Sequence, residues 1–380
     1  MAGKFVLLAV VVAVAIVAAG AGAFFVLNQG GGSESEEIVV PVDPEPIDPT
    51  PVDPEPEPEP ETIYPKGISY DSETRTLFSE ESVVWNVTDQ LVAYVDKKTD
   101  TYEGKELALD DGFYKIKVGD EEFDMVVGDT ITVEASWQYT MLSGKKIDVE
   151  ISYDIDIKEL AEITLTNGQW NKKNNSSFMN LPKVVYVDDT IKSIVDQLKK
   201  VYFDNGGSMD DEQSYLDILV SFPQLGITYP ELDKKPRSDD NYPEDHHYWG
   251  VDEYWANPLQ TIYFKVGDCE DASALACSLF KAAGFKTAMI GSVRHVMAAV
   301  ELDSFEERNL TMYKSLPLGL ANSLDAKRST GGDAVYYGVE VKRGSSLDQI
   351  PVGYILNNHV GYLERGEKCK QGVAGYYAVA

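Results

Sequence analysis

Between residue 63 and about residue 160, apolar and polar positions alternate in short runs: Thr76-Leu77-Phe78, Val83-Val84-Trp85, Leu91 to Val95, Phe113 to Val118, Thr130 to Val133 and Ile147 to Ile151. A period of two, punctuated by turns such as Asp110-Asp111-Gly112, predicts a small antiparallel β domain over residues 63–165. After Asp188 the period changes. Ile191, Ile194, Val195, Leu198, Val201 and Tyr202 recur three and four apart and predict an amphipathic helix. A second helix is expected from about Asp210, with Tyr215, Ile218, Leu219 and Phe222 on one face. The charged stretch from Pro230 to Asp252 reads as a polar loop. A third helix follows Asp268, where Ala272, Leu275, Ala276, Leu279, Phe280 and Ala283 keep helical spacing until Gly284. Strand patterns then appear at Lys286–Ile290, Val296–Val300 and Ala334–Val341, completing a second domain over residues 166–380.

The chain before residue 63 has a different character. Phe5 to Leu27 carries no charge and is long enough to cross the hydrocarbon core of a bilayer. Small residues at Ala21-Gly22-Ala23 also suit signal-peptide cleavage, but the apolar run continues through Leu27, which favours a retained anchor. Lys4 on the near side, with no further basic residue until Lys66, orients the body outward and predicts a single-pass membrane protein with an extracytoplasmic domain. Residues 28–62 then form a spacer, with nine prolines and eight carboxylates between Pro41 and Thr62. Fixed φ angles, charge repulsion and the lack of apolar side chains predict an extended, polyproline-like stalk.

Composition narrows the function. Against 63 acidic residues stand 33 basic ones, a net charge of −30 that repels phosphate backbones and disfavours nucleic acid as a partner. Three cysteines cannot build a disulfide framework, and an odd count leaves at least one free thiol. Sequons at Asn86, Asn174, Asn175 and Asn309 fit surface glycosylation outside the cell. No cofactor motif is visible.

The free thiol that matters is Cys269, in the first turn of the third helix within Gly267-Asp268-Cys269-Glu270-Asp271. The helix dipole and unpaired N–H groups there favour a thiolate, whereas Asp268, Glu270 and Asp271 oppose a further anion. An imidazolium partner is needed to decide the balance. His295 opens the strand after the helix–strand unit and can be carried back beside the helix start, and Glu340 in the third strand can hydrogen-bond the far ring nitrogen. Cys, His and acid then form a nucleophile, base and orienter set, with Asp303 the rival to Glu340. Cys277 and Cys369 read as core residues that could also pair with each other, and His359 has no partner pattern. Asp245-His246-His247 in the polar loop could ligate a metal, but adjacent side chains point apart and a charged surface loop is the plainer reading.

The Gly267–Asp271 run, the helix ending Ala283-Gly284-Phe285, His295 at a strand start and Tyr336-Tyr337-Gly338-Val339-Glu340 together resemble the transglutaminase-like superfamily, closest to its archaeal and bacterial branch of predicted cysteine peptidases. Ser221-Phe222-Pro223-Gln224 and Tyr254 to Thr261 fit the same branch, so the resemblance spans about Ile191 to Tyr354. It implies a papain-like α+β core, in which a helix bearing the cysteine packs on an antiparallel sheet. It also implies Cys269 as nucleophile, His295 as general base and Glu340 as third member, where many relatives carry Asp. Three features depart from the family pattern: Arg294 beside His295, Gln260 where relatives tend to have Glu, and the insertion Asp303–Asp333. Gln260 and Trp255 are candidates, with the backbone N–H of Cys269, for stabilising an oxyanion.

The resulting expectation is a membrane-anchored thiol enzyme that cleaves or transfers amide acyl groups of a protein or peptide substrate, such as envelope material, as a cysteine peptidase. A cross-linking transglutaminase needs the same triad and differs in excluding water. A catalytically silent surface-binding module on an acidic stalk is the alternative from a different class.

Overall fold

The computed structural model describes residues 64–230, 245–292, 295–302, 305–306, 315–317, 336–341, 349–356 and 375–379. The apolar run Phe5–Leu27, the acidic spacer, Arg294, Asp303, Asn309, His359 and Cys369 lie outside the described residues. No helix among the described residues is long and apolar enough to cross a membrane. The body mixes helices with antiparallel sheets, an α+β architecture.

Strands β1 (Ile68–Asp71), β2 (Thr76–Asp89), β3 (Thr99–Ala108), β4 (Gly112–Val118) and β5 (Glu121–Val127) make one antiparallel sheet in the order β1-β2-β4-β5, with β3 also paired to β2. Its inward side chains, among them Leu77, Trp85, Val87, Ile116, Met125 and Val127, form a small core of their own. The two expected strands at Thr76 and Val83 are one continuous strand. The polar Ser79–Ser82 stretch is absorbed as an irregularity between Phe78 and Val83, where the register to β3 shifts. Leu91–Val95 is not a strand. Asp89 Oδ1 accepts from Leu91 N at 2.8 Å and Tyr94–Asp96 closes a single tight helical turn, so local side-chain bonding wins over the apolar run. Strand β3 carries no alternation because only Leu107 is buried along it.

The hairpin of β6 (Thr130–Thr140) and β7 (Lys146–Asp156) pairs in unbroken register from Thr130↔Asp156 to Thr140↔Lys146. Its strict alternation puts Val133, Ala135, Trp137, Tyr139, Val149, Ile151, Tyr153 and Ile155 on one buried face. That face belongs to the same core as the helices that follow, so the hairpin joins the helical body rather than the first sheet.

Helix α1 (Ile157–Asn174) starts where Asp156 caps Glu159 N, and it buries only Ile157, Leu160, Ala161 and Asn171, too sparse a stripe to show as periodicity. Helix α2 (Asp189–Asp204) is capped by Asp188 on Ile191 N at 2.7 Å and buries the predicted face Ile191, Ile194, Val195, Leu198 and Tyr202. Helix α3 (Glu212–Ser221) is capped by Asp211 and runs into a wider turn, Phe222–Gly226, closed by Ile227 N donating to Phe222 O. Three helices follow: α4 (Asp245–Trp249), α5 (Pro258–Phe264) and α6 (Cys269–Ala282). Gly284, at φ +94°, ends α6 with Phe285 N donating to Phe280 O and Gly284 N to Lys281 O.

Of the remaining strands, β8 (Thr287–Ser292), β9 (His295–Glu301), β11 (Tyr336–Val339) and β13 (Gly375–Ala378) form a four-stranded antiparallel sheet in the order β11-β9-β8-β13. Strands β10 (Ser315–Pro317) and β12 (Tyr354–Leu356) pair separately. Strand β9 is buried along almost its whole length, with α6 against it.

Phe222 ties the hairpin to the helices. Its ring stacks on Trp137 at 5.2 Å between centroids and meets Tyr153 edge-on at 6.2 Å, while Ser221 Oγ accepts from Trp137 Nε1 at 2.9 Å. Replacing this fully buried ring, Phe222→Ala, removes both aromatic contacts and leaves a cavity. It should cost about 3–5 kcal/mol in urea unfolding, and a loss under about 1 kcal/mol would mean the hairpin is not anchored here.

Candidate active site

Cys269 is the first residue of α6, and Asp268 precedes it as the cap residue without a side-chain capping bond. Gly267 is required by close approach, since a Cβ there would sit 2.8 Å from Asp271 Cβ and 3.0 Å from Thr261 Cγ2. The first turn of α6 is tied to the start of β9 through Ser273, whose Oγ lies 2.6 Å from Cys269 O and 3.2 Å from Val296 O. Val296 is the residue next to His295.

His295 and Glu340 meet. Nε2 of the imidazole lies 2.8 Å from Glu340 Oε1, and both residues are buried. Sheet register explains the meeting. Val339 pairs with Ala298, so Glu340, just past the end of β11, falls opposite Met297 and on the same face as His295, two residues away. The Glu340 backbone is held in turn by Gln224, whose Nε2 donates to Glu340 O at 2.7 Å and to Ile350 O at 2.8 Å. Gln224 stands in the Ser221–Gln224 segment, and its positioning role comes from the wide turn that points it at the sheet.

The other two candidates are engaged elsewhere. Gln260 is fully buried in the first turn of α5, with Oε1 accepting from Asn167 Nδ2 at 2.9 Å and Asn257 N at 3.1 Å, and Nε2 on Tyr254 Oη at 3.2 Å. It closes a capping box with Asn257 and so holds the helix start. Trp255 is also buried, its indole N–H donating to Glu253 Oε1 at 2.9 Å and its backbone clamped by Asn171 from α1. Both residues lock the Tyr254–Gln260 segment between α1 and α6, where Ala256 N donates to Asp271 Oδ1 at 2.7 Å.

Acidic side chains dominate the surroundings of the thiol. Cys269 Sγ lies 3.1 Å from Glu270 Oε2. Burial first, then the charge of Asp268, push the thiol well above its ordinary value, while the contacts with Glu270 and the Val296 backbone pull the other way. Burial followed by Asp268 likewise raises Glu270 and Asp271 far above the usual carboxylate range. Burial, Asp268 and Asp271 do the same for Asp245, whose Oδ2 accepts from Tyr254 N at 2.6 Å. The polar stretch 230–252 is therefore not wholly a surface loop, because its Asp245 is carried inward by α4, whereas His247, Val251 and Asp252 stay exposed. Asp245, Glu253 and Glu270 bring one carboxylate oxygen each to within 4.8 Å of one another. The adjacent histidines are not part of that group. Cys277 is fully buried and its thiol is pushed up to about 12 by burial, the setting of an inert core cysteine.

No family model matches this chain, and no curated protein is similar to it.

The raised carboxyls make stability pH-dependent with a definite sign. An acid whose folded pKa lies above its unfolded one binds more protons when folded. Its contribution is fully present below the unfolded value near 4 and is lost as pH climbs toward the folded value. Unfolding free energy should therefore fall from about pH 4.5 toward neutrality. Asp271→Asn, which keeps the shape and the acceptor for Ala256 N, should flatten that fall. A parent-like slope in denaturant titrations at several pH values would show that Asp271 is ionised in the fold.

Proposed function

We propose that the chain is a transglutaminase-like thiol enzyme with a papain-like core, acting on amide bonds through Cys269, His295 and Glu340. The observation that carries this reading is the joint placement of three groups. Cys269 opens a helix whose first turn is fastened beside β9, and at the start of β9 the buried His295 is held by Glu340 at 2.8 Å. Glu340 fixes the imidazole through Nε2, which directs proton exchange with a thiol through Nδ1. His295 would take the proton of Cys269, and the thiolate would add to an amide carbonyl. The resulting tetrahedral oxyanion collapses as the imidazolium protonates the departing amine, leaving a thioester that water resolves. Water as acceptor makes the protein a cysteine peptidase or amidase, and a lysine amine makes it a cross-linking transglutaminase. Hydrolysis is favoured by the likeness to the predicted peptidase branch.

The oxyanion donors in this reading are backbone N–H groups at the start of α6. Gln260 and Trp255 act as positioning residues, because their side-chain donors are committed to Tyr254 and Glu253. The apolar run Phe5–Leu27 and the acidic, proline-rich spacer support a single-pass anchor with the enzyme held outside the membrane, facing protein or peptide material.

A second reading has its own support. Carboxylates surround Cys269, and burial with the Asp268 charge opposes the thiolate, which suits a fold kept for binding rather than catalysis.

Alkylation separates the two. On the intact chain, iodoacetamide labelling followed by peptide mass across pH 5–9 should modify Cys269 well below the ordinary thiol range near 8.5, and His295→Ala should abolish that early labelling. Cys277 should stay unmodified until the protein unfolds. Labelling of Cys269 that is slow at every pH below 8 and indifferent to His295 would remove the enzyme reading and leave the binding module.

A further inference from the structure

We propose that the outer edge of β6 at residues 132–134 is a docking site for an extended, lysine- or arginine-bearing peptide, which adds to the β6–β7 hairpin as a further strand. The direction of the edge follows from register and side-chain bonds. Thr140 N and O are both taken by the Gln349 amide, at 2.7 and 2.6 Å, and Glu134 O accepts from Lys265 Nζ at 3.3 Å. On β7, the Gln197 amide takes N and O of Ser152, the register partner of Glu134. Even-numbered residues of β6 therefore turn their N–H and C=O away from β7, and odd-numbered ones carry the ladder. Thr132 belongs to the outward set, and β6 has no strand on that side among the described residues.

This edge is closed in some places and open in one. Gln349 and Gln197 each supply a donor and an acceptor, as a neighbouring strand would. Lys265 only donates. Among the described residues, the Glu134 N–H and both outward backbone groups of Thr132 have no hydrogen-bond partner. They border a pocket of about 500 Å³ whose other walls are residues 91–93, Asp96 and residues 263–265. An edge with open backbone groups beside a pocket is the arrangement to which an extended peptide adds as a strand.

Pleat and charge set the partner. In an added strand, residues opposite Thr132 and Glu134 share their solvent-facing side, and the residue opposite Val133 shares the side of Val133. On that second side Tyr153, the register partner of Val133, donates to Ile262 O at 3.0 Å, just before the half-buried rings of Tyr263 and Phe264 in the pocket wall. An apolar side chain fits there. Glu134 and Asp96 line the same pocket with exposed carboxylates that form no ion pair among the described residues. Lys265 is the only cation in the lining, and its ammonium is turned to Glu134 O. A net charge of −30 adds a long-range pull on cations. The occupant is thus a strand that alternates basic and apolar residues. None of Cys269, His295 and Glu340 lines the pocket, so the inference holds whether or not Cys269 is a nucleophile.

Fluorescence anisotropy of a fluorescein-labelled Lys-Val-Lys-Val-Lys peptide with the intact chain, in about 0.15 M salt to screen distant charges, provides the test. Binding should be saturable. The same peptide N-methylated at every backbone amide keeps its charges but cannot pair with an edge, and it should bind about tenfold more weakly or worse, as should Glu-Val-Glu-Val-Glu. Glu134→Lys, at an exposed position, should weaken the parent peptide about tenfold. Thr132→Pro, which removes an outward N–H and no ladder bond, should do the same. Circular dichroism confirms that each variant is folded, and Glu134→Lys keeps the test decisive if the proline variant does not fold. Absence of saturation with the folded parent overturns the site, as does parent-like affinity in folded Glu134→Lys. Equal binding of the N-methylated peptide would assign the attraction to overall charge and also overturns it.

Discussion

The contact on which the candidate site depends is the seam between the first turn of α6 and the start of β9. Ser273 Oγ sits between Cys269 O and Val296 O, so one short side chain fastens the residue that carries the thiol to the residue beside the imidazole. Small residues along α6, among them Ala272, Ala274 and Ala276, allow the helix to lie close on a strand buried along nearly its whole length. A bulkier side chain at 273 would separate the helix from the sheet and the thiol from the pair His295–Glu340. The remainder of the structure acts as support for this seam: the hairpin and α2 below α6, and Gln224 behind Glu340.

The electrostatics of the site pull in two directions. A helix start and the contacts with Glu270 and the Val296 backbone favour an anion on sulfur, and burial with the charges of Asp268 and Glu253 opposes it. Buried carboxyls at this spacing are tolerated only with protons or a cation to offset them. The same acids also have a structural task, since Asp271 holds Ala256 N and Asp245 holds Tyr254 N, which shape the segment over the site. Charge and architecture are therefore coupled, because acids near the thiol also hold the backbone at Tyr254 and Ala256.

Much of this was legible along the chain. The helical spacing after Asp188 and after Asp268 marked α2 and α6 nearly to their ends, and it placed Cys269 in a first turn. The alternation at Thr130–Val133 and Ile147–Ile151 marked parts of β6 and β7, which run on to Thr140 and Asp156, but not the side on which the hairpin packs. Strand β3 stayed hidden because its single inward residue, Leu107, leaves no pattern, and Leu91–Val95 misled because Asp89 captures the chain in a local turn. Gln260 looked like a polar group offered to a substrate. Asn257 and Tyr254 bond it from within six residues, but its bond to Asn167 depends on α1, a partner that no local spacing reveals.

What the sequence by itself determined is what depends on neighbours a few residues apart: periodicity, helix caps, the thiol at a helix start, the charge balance of −30 and the apolar run before an acidic, proline-rich spacer. Only the tertiary structure decided that Glu340 is the residue held against His295, because that pairing comes from the register of β11 on β9 across 45 positions. It also decided that Asp245, in a stretch that reads as solvent-facing, is buried beside Glu270. Burial and charge proximity are properties of three-dimensional neighbours, and such neighbours are set by how whole elements pack.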